Sequence, residues 1–278
     1  MSRFDIRTRT GLIYPIIQGL VGINFDPDAQ AFFNRVSAAG GTLNSNEQVA
    51  VNQLVLDLKS YNLWSLMLVI YPMVGSSAAS CAQNLKSSSF TGTFAGGWTF
   101  ASTGVTGNGT SGYMNTALNT STNLTKTSAH LSIYTSTSVS SASQYDVGNS
   151  DDAIATVNPT YLITRYVNNN CYFGIADQSY GTNVTVLNSY GFTAGSTNGS
   201  ATQKIYKNGS VIQSGTAGSG NLSNSNLYIG ANNSGGTATF FSNKQYSFAS
   251  IGTGISDTNA TNFYTAVQAF QTTLARQV

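Results

Sequence analysis

The chain has 278 residues of which only 8% are charged, against about 25% in an ordinary soluble domain, so Asn, Ser, Thr and Gln must make up its polar surface. A hydrophobic content of 41% supplies a real core and excludes a disordered chain, while a net charge of +2 excludes the dense basic stripe of a nucleic-acid binder. Two cysteines, Cys81 and Cys171, and the single histidine His130 exclude a disulfide framework and offer no zinc ligand set, so both thiols read as free and buried.

Residues 1–26 read as an arm, first polar and carrying Arg3, Arg7 and Arg9, then apolar in "GLIYPIIQGLVGI". Pro15 and Gln18 interrupt that apolar run, and neither it nor "LWSLMLVIYPMV" at 63–74 is long enough to span a bilayer, so no membrane partner is expected. From 27 to about 75 the pattern is helical. Asp28 is the expected N-cap of a first helix that stops at Gly40–Gly41. Ser45 and Gln48 form a capping-box pattern for a second, in which Val51, Leu54, Val55 and Leu58 share one face and Glu47 falls on a solvated one. A third short helix is expected over about 62–71, ending before Pro72.

After "GSSAAS" at 75–80 the character changes to short runs rich in β-branched and aromatic residues, such as "HLSIYTS", "TYLITRYV", "CYFGIA" and "NVTVLN", punctuated by Gly, Asn and Ser. Asn208–Gly209 in "QKIYKNGSVIQSG" is the clearest hairpin signal. Many short strands with frequent turns predict an antiparallel sandwich or jelly roll. The chain then closes on "SDTNATNFYTAVQAFQTTL", a helix with Ser256 as N-cap and Asp257 in its first turn. Its apolar stripe Phe263, Val267, Phe270 and Leu274 must be buried, and sealing part of the sandwich is the expected use.

Polysaccharide hydrolysis needs two placed carboxylates, and the chain has one glutamate. The remaining candidates are aspartates, and Asp151–Asp152 in "GNSDDA" read as a turn or, at most, part of a weak calcium site. His130 has no Gly-x-Ser-x-Gly partner motif, and "GNGTSG" at 107–112 matches a dinucleotide fingerprint in letters only, since no helix follows it. No enzyme activity, cofactor or metal is therefore expected. Aromatic residues are plentiful, with 15 Tyr, 14 Phe and 2 Trp. Trp98, Tyr113, Tyr180 and Tyr190 lie in or beside turn-rich segments, where they are candidates to stack on sugar rings, although each also reads as a core or rim residue.

The phrases "NGTSGYMNT", "LWSLMLVIYPMVG" and "FASIGTGISDTNATNFYTAVQAF" resemble a family of tailed-phage virion proteins. The resemblance covers roughly 27–278 and leaves the arm uncovered. It implies a mainly β chain: a concanavalin A-like, laminin G-like antiparallel sandwich or jelly roll with a C-terminal helix over 76–278, behind a small helical segment at 27–75 and an anchoring arm at 1–26. It further implies a non-enzymatic head fibre, capsid decoration or tail-associated protein, made in the host cytoplasm and carried on the virion. Its partners would be a capsid or tail protein, held through Arg3, Arg7 and Arg9, and further copies of itself. The family supplies no catalytic residues, and neither the Glu-x-Asp-x-x-Glu strand of glucanases with this fold nor the acidic metal-ligand cluster of its lectins is present. The alternative function is a carbohydrate-binding adhesin that recognises host or mucosal glycans.

Overall fold

The computed structural model describes residues 24–140, 143–151, 158–199 and 201–278. Most of the arm expected over 1–26, with Arg3, Arg7 and Arg9, lies outside them, as does Asp152.

The chain opens with α1 (Pro27–Ala38) and α2 (Ser45–Ser60). Both caps fall one or two residues before the expected ones. Asp26, not Asp28, caps α1: its carboxylate accepts from the Asp28 N–H at 3.0 Å, with Pro27 in the first turn, where it has no N–H to waste. Asn44 and Glu47, not Ser45 and Gln48, form the capping box of α2. The two patterns overlap in sequence, and Glu47 prevails because its carboxylate accepts from the Asn44 N–H at 2.9 Å and the Gly75 N–H at 2.8 Å. Glu47 is accordingly 8% exposed rather than on a solvated face.

The third expected helix is also corrected. Asn62 takes a left-handed φ of 58° after α2, a single 3₁₀ turn covers Trp64–Leu66, and residues 67–71 become a strand, β1 (Met67–Tyr71). "MLVIY" is wholly apolar, so periodicity cannot tell helix from buried strand. Its pairing partner, 180 residues further along the chain, makes the choice.

After the short helix α3 (Ala78–Cys81) come β2 (Thr93–Ala95), β3 (Trp98–Ala101), β4 (Gly104–Gly107) and β5 (Tyr113–Asn119). The turn α4 (Thr120–Asn123) precedes β6 (Ser128–Thr135), β7 (Val147–Ser150), β8 (Thr160–Ile163) and β9 (Asn170–Gly174). Then follow β10 (Asn183–Thr185), β11 (Gly191–Asn198), β12 (Thr202–Lys207) and β13 (Ser210–Thr216). The series ends with β14 (Asn226–Ile229), β15 (Asn232–Ser234), β16 (Thr237–Thr239), β17 (Gln245–Gly252) and helix α5 (Asp257–Thr273). Asn208 and Gly209, at φ 47° and 78°, turn β12 into β13 as a hairpin of the kind the sequence predicts. "GNGTSG" is a loop in which the Asn108 carboxamide accepts from the backbone N–H groups of Thr110, Ser111 and Gly112.

The strands form two sheets. One has the order β13-β12-β11-β6-β17-β4-β3 with β1 also on β17, and the other β10-β9-β8-β7-β14-β5-β2 with β15 and β16 attached at β7. All pairings are antiparallel except β15 on β7. Alternation sends Leu131, Ile133, Ile205 and Ile251 of the first sheet towards Met114, Val147, Leu162, Phe173 and Ile229 of the second, and this is the sandwich core. The protein is thus mainly β, a two-sheet sandwich.

The other face of the first sheet presents Tyr134, Phe192, Ala194, Tyr206 and Phe248, and α1, α2 and α5 cover it. The closing helix has the expected cap, the Ser256 hydroxyl accepting from the Asn259 N–H at 3.2 Å. Its Phe263 sits edge-on to Phe192 at 5.0 Å and to Phe248 at 5.9 Å, with Val267 and Phe270 buried beside it. His130 is buried under the same helix. The Thr253 carbonyl can only accept, so at 2.6 Å it fixes the proton on Nδ1, and Nε2 accepts from Ser250 Oγ at 3.1 Å. Burial lowers the His130 pKa to about 4, and the ring is a neutral packing residue.

Candidate functional site

With one face of the first sheet in the core and the other under helices, the open β surface is the outer face of the second sheet. On β8 the alternation sends Leu162 inward, which leaves Tyr161 and Ile163 outward; on β9, Cys171 and Phe173 go inward and Tyr172 outward. Register sets Ile163 opposite Tyr172, and places Tyr161 between Gly148 of β7 and Gly174 of β9. Those glycines make room for rings to lie on the sheet. A Cβ at Gly174 would stand 2.6 Å from the Tyr161 hydroxyl, and one at Gly148 would stand 2.7 Å from the Tyr145 ring.

Loops add the remaining walls. Tyr180 stacks on Tyr161 (centroids 4.8 Å, 29°) and Phe240 stacks on Tyr145 (5.4 Å, 25°). Tyr145 meets Tyr161 edge-on at 6.2 Å, and the Tyr145 and Tyr180 hydroxyls are 2.8 Å apart, so the two stacks form one belt. Tyr166 and Tyr172 close it as an edge-to-face pair at 5.9 Å. Tyr145, Ile163, Tyr166, Tyr172, Tyr180 and Phe240 thereby enclose a cavity of about 490 Å³, within the range of small-ligand sites.

Two features set this cavity apart from packed core. Tyr180 and Phe240 remain 37% and 47% exposed, and both have left-handed backbones, at φ 51° and 53°. Bulky side chains avoid that region, so the surrounding contacts must hold them there. Amides ring the rim: Asn168 Nδ2 donates to the Tyr172 hydroxyl at 2.6 Å, and Asn183 Nδ2 to the Tyr180 carbonyl at 2.8 Å. Among the described residues, no charged side chain lines the cavity. Burial pushes the Tyr145 and Tyr161 hydroxyls well above their ordinary pKa, which keeps them neutral hydrogen-bonding groups.

Of the four aromatic residues singled out in the sequence, Tyr180 lies in this pocket. Trp98 and Tyr113 lie together elsewhere: the indole Nε1 donates to the Ala95 and Tyr113 carbonyls, and Tyr113 stacks on Tyr228 at 4.6 Å. Tyr190 lines a separate groove with Val186, Leu187 and Ile212. Sequence reasoning missed Tyr145, Tyr161, Tyr166, Tyr172 and Phe240. Tyr161 and Ile163 of "TYLITRYV" carried part of the signal, since residues two apart on a strand share a face.

No protein-family model matches the chain, and no curated protein matches it. Among solved structures, domain 4 of AbnA, a GH43 extracellular arabinanase from Geobacillus stearothermophilus in complex with arabinotriose, is similar with a TM-score of 0.50 at 13% identity, covering 71% of this chain and 98% of that one. The receptor-binding domain of a botulinum neurotoxin C/D mosaic serotype matches with a TM-score of 0.50 at 11% identity, over 73% of this chain and 51% of that one. This chain therefore spans about half the length of the toxin domain. At such identities the likeness defines a fold class, the β-sandwich domain, and the pocket has to speak for itself.

Proposed function

We propose that the protein is a carbohydrate-binding module that holds a saccharide in the aromatic pocket on the outer face of its second sheet. The observation that carries this reading is the pair of exposed rings, Tyr180 and Phe240, held in left-handed conformations over a belt of further tyrosines. Sugar rings present C–H faces that pack on aromatic faces, and their hydroxyls find partners in tyrosine hydroxyls and rim amides. The sandwich of the arabinanase domain, solved with arabinotriose, adds support from fold analogy.

The module binds rather than cleaves. Hydrolysis needs two carboxylates flanking the scissile bond, and among the described residues no carboxylate lines the pocket, while Glu47 is committed to the α2 cap and Gly75. The virion-attachment reading depends on the arm at 1–26, which lies largely outside the described residues, and nothing in the described fold favours it over glycan binding. The test is binding to a panel of immobilised oligosaccharides. Tyr180→Ala is expected to lower affinity for any bound glycan about tenfold or more, as loss of an aromatic anchor does, with an unchanged far-UV circular dichroism spectrum. Glycan binding that survives this substitution intact would place the site elsewhere.

A further inference from the structure

Resting on that reading, we infer that the saccharide taken by the pocket of Tyr145, Ile163, Tyr166, Tyr172, Tyr180 and Phe240 is uncharged, so that sialylated, uronic-acid and sulfated glycans are excluded. A carboxylate or sulfate stripped of water needs a cation or several N–H donors in its place, and without them its transfer into an aromatic cavity is strongly unfavourable. Among the described residues the lining offers hydroxyls and hydrocarbon, and the rim amides of Asn168 and Asn183 already donate to the Tyr172 hydroxyl and the Tyr180 carbonyl.

The charged groups on the elements around it are engaged elsewhere. Lys244 is wholly buried and paired with Asp146 at 3.0 Å, and that carboxylate also accepts from the Tyr246 hydroxyl at 2.7 Å and the Thr164 N–H at 2.6 Å. Arg165, next to Tyr166 in the chain and outside the cavity lining, reaches Ser138 with Nη1 at 3.0 Å, while its buried Nε has no partner among the described residues. Asp177, in the loop before Tyr180, accepts from Gln203 Nε2 at 2.6 Å and from the Ser179 N–H at 2.9 Å. Among the described residues, no cation lines the cavity to meet an anionic sugar. A neutral sugar meets no such penalty, because each hydroxyl exchanges water for a Tyr or Asn partner.

Two consequences separate this inference from glycan binding in general. Affinity for a neutral oligosaccharide is expected to change less than twofold between about 0.05 and 0.5 M salt, since no ion pair is formed that salt could screen. It is also expected to be flat between about pH 5 and 9, since no carboxylate, imidazole or amine among the described residues lines the cavity.

The experiment is isothermal titration calorimetry on the full chain with matched probes. Neutral ones are arabino-, xylo-, manno- and cello-oligosaccharides; acidic ones are sialyllactose, oligogalacturonides and a chondroitin sulfate oligosaccharide. Each is run with wild type, Phe240→Ala and the ring-preserving Phe240→Trp. The expected result is salt-independent binding of at least one neutral probe, at least about tenfold weaker in Phe240→Ala and retained in Phe240→Trp. Preference for an acidic probe, lost in Phe240→Ala or Arg165→Ala, overturns the neutral-ligand inference but leaves the carbohydrate reading standing. Binding of no probe, or binding unaffected by Phe240→Ala, overturns both.

Discussion

At the scale of single residues, the strained aromatics set a testable balance. A left-handed bulky residue costs about 1–3 kcal/mol. Phe240→Gly removes that strain, but it also removes a ring stack worth about 0.5–1.5 kcal/mol and loosens the unfolded chain by about 0.5–1 kcal/mol. These terms nearly cancel. The expected outcome is a melting temperature within about 4 °C of wild type, by differential scanning calorimetry, together with a loss of glycan binding. A large destabilisation instead would mean that Phe240 is there to hold the fold.

Among the elements, α2 shows how one side chain can tie layers together. Glu47 caps its own helix through the Asn44 N–H and also holds the Gly75 N–H, just beyond β1 and before α3. Glu47→Ala leaves both partly exposed donors without that acceptor. Losing a cap costs about 1 kcal/mol, and a donor that water still partly reaches costs less than the about 1–3 kcal/mol of a fully buried one, so a loss of about 1–2 kcal/mol is expected in urea titrations. Glu47→Gln keeps an acceptor oxygen and should recover part of it. The same layer explains the fate of "MLVIY". Once α2, α5 and the first sheet share a core, an apolar segment beside β17 gains more as a ladder strand than as an isolated helix.

For the whole molecule, the junction between the helical layer and the first sheet gives stability a specific pH dependence. His130 is held neutral there with its pKa depressed to about 4 by burial, whereas the unfolded chain binds its proton near pH 6.5. Between those values the unfolded state carries the extra proton, so stability falls as pH drops from about 6.5 to about 4, by about 3 kcal/mol at the limit. Asp26 and Asp257, whose pKa values are lowered from 3.8, lose their own stabilising contribution only below that window. Asp26 is partly buried, and although desolvation opposes its charge, Lys59 and the Asp28 N–H hold the anion; Asp257 is held by Lys204 and Tyr206. Unfolding free energies of wild type and His130→Asn, measured from pH 7 to pH 4, should diverge by that slope. Parallel curves would mean that His130 is not the titrating group.

The sequence by itself determined what depends on neighbours along the chain. The Asn208–Gly209 hairpin, the Ser256 cap and the buried stripe of α5 follow from local chemistry, and the β-sandwich class follows from many short strands between turns. Where two local patterns compete, as at Asn44–Glu47 against Ser45–Gln48, local chemistry no longer chooses, and a contact from Gly75 does. The assembly of the pocket lies beyond that reach, although Tyr180 is visible in the sequence as a candidate. Alternation tells that Tyr161 and Ile163 share a face, but it cannot tell that β9 pairs with β8, or that loops carrying Tyr145, Tyr180 and Phe240 converge on them. Strand order is fixed by the burial of both sheets together, and so the tertiary structure alone turned scattered tyrosines into a site.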